Sequence, residues 1–132
     1  MEAERKRQIE ALCRCYLTSL ESGDLPTLLS LFTEDATATS PISGKQPVPD
    51  FYSYVMQVTS NRSMPLKTIF VGASNPYQAA VHMVYTRTVK EGQPSTIECV
   101  DIFDLNEECT KFTGIRIIYD TAPVRSEFDL HK

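Results

Sequence analysis

The spacing of apolar residues in this chain changes period, and that change limits the folds open to it. Near the start, Ile9, Leu12, Cys13, Tyr16, Leu17 and Leu20 recur three and four residues apart, the period of a helix with one buried face. That stripe stops at "ESGD". Gly23 suits the left-handed residue past a helix end, and Asp24 suits the N-cap of the next helix. Pro26 fits that helix's first turn, and Leu25, Leu28, Leu29 and Phe32 give it a shorter apolar face. The spacing predicts helices over about residues 3–22 and 25–33. A third is expected around "DFYSYVMQV", where Phe51, Tyr52, Val55 and Met56 share a face. Beyond it the period falls to two. "PLKTIFVGAS", "AAVHMVYTRTV", "STIECVDIFDL" and "KFTGIRIIYD" read as strands separated by turn signals at "NPY", "EGQP" and "NEEC". Between the helices and these runs, "ATATSPISGKQPVP" is turn-rich, with a brief strand signal at Ala36–Ser40.

Helices followed by closely connected strands predict an α+β domain, with three helices packed on one face of a curved, mostly antiparallel sheet. The 132 residues suit a single domain, and the tail "VRSEFDLHK" is polar enough to be expected loose. A net charge of −4 and the lack of a basic stripe argue against a nucleic-acid partner. No run reaches the ~18 apolar residues of a membrane span. "MEAERKRQIE" is too charged for a secretory leader, so a reducing, cytoplasmic setting is expected. The four cysteines agree with that: none forms a CxxC or has a histidine at metal spacing, and Cys13 and Cys99 read as core thiols. No cofactor or metal is implied.

Within "TIECVDIFDL", a two-residue period puts Ile97, Cys99, Asp101, Phe103 and Leu105 on one face. A carboxylate inside an apolar stripe has two readings. It faces solvent or an arginine at a strand edge, or it is buried and binds a proton to escape the cost of an isolated charge. Tyr16, on the inner stripe of the first helix, is likewise either an ordinary core tyrosine or a phenol aimed at a cavity. Two neutral donors converging on one hollow would bind a carbonyl oxygen, more tightly as it gains negative charge.

Several stretches resemble the ketosteroid isomerase (SnoaL-like polyketide cyclase) branch of the nuclear transport factor two-like superfamily. "YLTSLESGDLPTLLSLFTEDAT" is similar to that family's opening helices, "DFY" to its third helix, and "CVDIFDLN" to its penultimate strand around an acid. The likeness covers roughly residues 5–122 and implies a cone-shaped, cystatin-like fold, with a second copy covering the open sheet face as a homodimer. In those isomerases a helix tyrosine and a protonated strand aspartate form the oxyanion hole, and these fall on Tyr16 and Asp101. The resemblance further implies substrate contacts at Tyr52, which would bond the Tyr16 phenol, and at Phe32, Phe103, Tyr119 and Ser40.

At one position the pattern breaks. The family's general base is an aspartate immediately before a proline, and here that residue is Ser40 of "TATSPIS". A serine cannot take a proton near neutral pH unaided, and losing a positioned base costs about 10²–10⁴-fold in rate. Asp35 and Asp120 are the nearest acids by sequence, and neither is expected to face the site. The superfamily's epoxide hydrolases carry an arginine where this chain has Cys99. Dehydratase-like and cyclase-like sites need a pocket histidine, and here His82 beside Asp101 or Asp120 would have to supply it. The expected function is binding of a small apolar carbonyl or steroid-like compound in a cavity of about 300–1,000 Å³, with isomerase activity weak or absent. A non-catalytic binding module and a cyclase- or dehydratase-like enzyme are the alternatives. No exposed hydrophobic strand motif stands out to support a purely structural role.

Overall fold

A computed structural model describes residues 2–123. The expectation for the tail from about 124, and His131 with it, falls outside the described residues. Three helices, α1 (Glu2–Ser22), α2 (Leu25–Ser30) and α3 (Val48–Val58), pack against a seven-stranded sheet. Its strands are β1 (Phe32–Ser40), β2 (Gly44–Pro47), β3 (Thr59–Ser63), β4 (Leu66–Val71), β5 (Gln78–Val89), β6 (Pro94–Leu105) and β7 (Phe112–Ile118). The strand order is β2-β1-β7-β6-β5-β3, with β4 also on β5. All pairings are antiparallel except β1 with β7.

The predicted helix stripe is the face α1 buries: Ile9, Cys13, Tyr16, Leu17 and Leu20 are enclosed. Gly23 ends α1 at φ +77, its N–H reaching the Leu20 carbonyl at 3.2 Å. Asp24 caps α2 by accepting from the Thr27 N–H at 3.2 Å. Arg62 of β3 ties this junction down, its Nε donating to the Leu20 carbonyl at 2.9 Å.

Two boundaries differ from the sequence reading. The second helix stops at Ser30 rather than running to 33, and the strand after it is nine residues long, not a brief one. The cause is tertiary: the Phe112 N–H bonds the Leu31 carbonyl at 2.8 Å, and Phe32 pairs with Phe112, so β7 pulls the chain out of helix. The short polar strands β2 and β3 have no sequence signature. β3 exists because Thr59 and Ser60 find backbone partners at Val89 and Thr88.

Register assigns the two sheet faces. Val81, Asp101 and Ile117 stand in one row facing the helices, as do Ala79, Phe103 and Ile115. The opposite face carries Phe70, Ala80, Ile102 and Arg116 in one row, and Thr68, His82, Val100 and Ile118 in the next. Phe70 and Ile118 are about half exposed, at 52% and 46%. An exposed apolar patch therefore does exist on the strands, contrary to the sequence reading. It escaped notice because its members come from four strands that only register brings together.

Candidate functional site

Helices α1 and α3 cover the concave side of the sheet incompletely, leaving a cavity lined by Tyr16, Tyr52, Tyr85, Asp101, Ile117 and others. Counting all empty space out to the mouth gives about 720 Å³, but only about 90 Å³ of it admits the centre of a water molecule. The space for a guest is therefore compact. That is room for one or two rings. The expected volume is reached only when the open mouth is counted.

At the inner end, the Tyr16 and Tyr52 hydroxyls are 2.7 Å apart, both side chains buried. Tyr16 is held by edge-on aromatic contacts, with ring centroids 4.9 Å from Phe103 and 6.4 Å from Phe32. Phe103 in turn stacks on Phe112 at 4.1 Å. Each such pair contributes on the order of 0.5–1.5 kcal/mol beyond the area it buries, so the phenol is anchored by packing on several sides. Phe32 and Phe103 do not line the cavity. They sit behind Tyr16 as its support, which corrects their expected role as substrate contacts. Phe32 is drawn away by its pairing with Phe112, and Phe103 by its stack on the same ring.

Asp101 is 2% exposed, and its Oδ1 is buried without a hydrogen-bond partner. Desolvation pushes its pKa from 3.8 up to about 7, and hydrogen bonding from Tyr16 pulls only partly back. Burial likewise carries the Tyr16 and Tyr52 phenols well above 10 and the Cys13 thiol to about 12. Well below pH 7 this end of the cavity therefore holds neutral hydroxyl and carboxyl groups, with the protonated Cys13 thiol behind them. Of the two readings of Asp101, the buried one is observed: its side chain is enclosed, and among the described residues no arginine pairs with it.

Ser40 lines the cavity from the end of β1, and its position follows from the hairpin to β2. Its Oγ accepts from the Ile42 N–H at 3.2 Å and the Ser43 N–H at 3.4 Å, a local turn that fixes the side chain. Tyr119, just past β7, also lines the cavity. Asp35 and Asp120 are exposed, as expected, and Asp35 accepts from the Thr33 hydroxyl at 3.1 Å. His82 points from the other face of the sheet, where its Nε2 lies 2.6 Å from Glu98. The His82–Asp101 pairing considered for a cyclase-like site is thus ruled out by strand parity: Asp101 stands opposite Val81, and His82 projects away. Among the described residues lining the cavity, Asp101 is the sole carboxylate, and there is no histidine.

Two residues of the cavity went unnoticed in the sequence. Tyr85 and Arg87 follow Val81 and Met83 on the inner face of β5, and Arg87 is 2% exposed. Its Nη1 donates to the Ser95 carbonyl at 3.4 Å and also meets the Ser95 hydroxyl, and its guanidinium lies 5.6 Å from the Tyr85 ring centroid. The signal was present: reading "AAVHMVYTRTV" with period two puts an arginine on an apolar face, just as it puts an acid on one in "TIECVDIFDL".

A sequence profile of the SnoaL-like domain matches residues 13–113, from the middle of α1 through the start of β7. The chain belongs to the SnoaL-like domain family. No curated protein matches this SnoaL-like chain significantly by sequence. Its fold is shared with PrhC from Penicillium brasilianum, at 16% identity and a TM-score of 0.80, over 95% of this chain and 88% of that one. A hypothetical protein with a ketosteroid isomerase-like fold from Catenulispora acidiphila, solved with trimethylamine, superposes with a TM-score of 0.75 at 11% identity, over 88% of this chain and 90% of its own. The BvnE pinacolase from Penicillium brevicompactum does so at 0.74 and 15% identity, over 88% of each chain. At such identities these structures establish the shared architecture of the SnoaL-like fold and no more.

Proposed function

We propose that this SnoaL-like protein binds a compact apolar carbonyl compound, whose oxygen is taken by the Tyr16 hydroxyl and the protonated Asp101 carboxyl. One observation supports this above all: Asp101 presents a buried oxygen that no group among the described residues satisfies, in an apolar cavity beside a phenol. Leaving a polar atom so costs about 1–3 kcal/mol, a cost that a bound carbonyl would offset. In this reading Tyr52 donates to Tyr16, and the Tyr16 hydrogen turns from Asp101 to the guest. Because both donors are neutral and fixed by packing, they favour an oxygen that is gaining negative charge, as a ketone does on enolising. Among the described residues the cavity walls supply no base beyond Asp101 itself, so in this reading the protein polarises the carbonyl and enolises it slowly. The enclosed volume favours one- or two-ring compounds, with anything larger extending through the mouth.

The test uses 2-naphthol, whose oxygen resembles an enolate, in a fluorescence titration at about pH 6. Binding by the wild type that weakens roughly tenfold in Tyr16→Phe is expected. A companion assay follows conjugated-enone absorbance from a β,γ-unsaturated cyclic ketone, where turnover close to that of buffer is expected. Equal naphthol affinity in wild type and Tyr16→Phe refutes the assignment. The same proposal extends to the outer sheet face, where Phe70, Ile102, Val100 and Ile118 suit burial against a second copy of the chain.

A further inference from the structure

The cavity has a second polar end that a simple ketone leaves unused. Tyr85 lines it, and its hydroxyl oxygen, like Asp101 Oδ1, is buried with no hydrogen-bond partner among the described residues. The neighbouring Thr59 hydroxyl has no hydrogen left to donate to it: that hydrogen goes to the Val55 carbonyl at 2.6 Å, while the oxygen accepts from Arg62 Nη1 at 2.9 Å. Thr59 draws the Tyr85 pKa partly down without meeting the phenol at bonding geometry.

The position of this phenol relative to Asp101 is set by register. Tyr85 pairs with Ile97, and Asp101 lies four residues further along β6 on the same face, opposite Val81. At ~3.3 Å per residue, the two backbone positions are about 13 Å apart along the strand. Both side chains line one cavity, so a guest of sufficient length can meet both.

The electrostatics of the two ends differ. Asp101 is surrounded by phenols and thiols, whereas Tyr85, which shares the Cys99 thiol with it, also has two cations nearby. The Arg87 guanidinium lies 5.6 Å from the Tyr85 ring centroid, and both Arg87 and Arg62 pull the phenol's pKa down against the larger upward push of burial. A hydroxyl in a positive field is a stronger donor, and it favours an electron-rich or anionic acceptor.

We propose that the natural ligand is bifunctional: a cyclic ketone whose oxygen meets Tyr16 and Asp101, bearing at its far end a carboxylate or ester oxygen that accepts from Tyr85 in the field of Arg87. This rests on the carbonyl-binding reading above and adds the substrate class to it. It also accounts for two orphaned polar atoms in one apolar hollow, where a single carbonyl accounts for one.

The experiment compares 2-naphthol, 6-hydroxy-2-naphthoic acid and the methyl ester of that acid, titrated at about pH 6 into wild type and Tyr85→Phe. The expected result is that the acid or its ester binds the wild type roughly tenfold or more tighter than naphthol, and that this ratio falls close to one in Tyr85→Phe. A gain shown by the acid alone assigns the far end to an anion, and a gain shared by the ester assigns it to a neutral oxygen. Either supports the proposal. Naphthol binding with no gain from either substituent, or a gain that survives in Tyr85→Phe, overturns the bifunctional ligand and leaves the carbonyl site standing. Failure of naphthol itself to bind the wild type overturns both.

Discussion

Replacing Asp101 by Asn keeps the shape of the side chain and removes its titration, so it isolates what burying an ionisable group costs this fold. The carboxyl titrates at 3.8 when unperturbed and at about 7 when folded. Between those values the folded chain holds a proton that the unfolded chain has released, so stability falls as pH rises through the window. Below 3.8 both states are protonated and the group costs nothing, whereas above 7 the full penalty applies. A shift of about three units amounts to roughly 4 kcal/mol, of which about 2–3 kcal/mol is lost between pH 5 and pH 8. Any fixed cost of placing an amide there is independent of pH and cancels in the comparison. Urea unfolding of wild type and Asp101→Asn at these two pH values is therefore expected to show the variant gaining about 2–3 kcal/mol relative to wild type at the higher pH. Parallel stability curves would mean that Asp101 is ionised and solvated in the folded protein, and the donor pair would go with it.

Introducing a carboxylate at the family's base position, Ser40→Asp, is expected to raise turnover of a β,γ-unsaturated cyclic ketone measurably above wild type. The gain should fall short of the ~10²–10⁴-fold ascribed to a positioned base. Two N–H groups already aim at this side chain and would hold the new carboxylate's pKa down, and a folded but inert variant counts against the site. On the outer face, Phe70→Asp is expected to shift sedimentation equilibrium from dimer towards monomer while leaving the circular dichroism spectrum intact. A wild type that sediments as a monomer at high concentration refutes the second-copy reading.

The helical stripe from Ile9 to Leu20, the break at Gly23 and the four long strand runs were legible because each is local: neighbouring residues share one periodic burial constraint. Asp101 was legible for the same reason, an acid out of phase with its own strand. Phe32 was misassigned because its spacing continues a helix, and the partner that overrides it, Phe112, lies far along the chain. For β2 and β3, nothing in their polar residues announces a strand, since pairing alone makes them one.

What the sequence determined by itself was the order of elements, which side of each long one is oily, and that one of those oily sides carries an acid. Periodicity is a one-dimensional record of burial, and it survives without coordinates. Only the tertiary structure decided that Asp101 Oδ1 has no partner among the described residues, that Tyr16 is braced by Phe32 and Phe103 rather than joined by them at the cavity, and that His82 faces away. Those outcomes depend on register between strands and on how far two helices stand off a curved sheet. A one-residue change in pairing would reverse each of them while leaving every local pattern untouched.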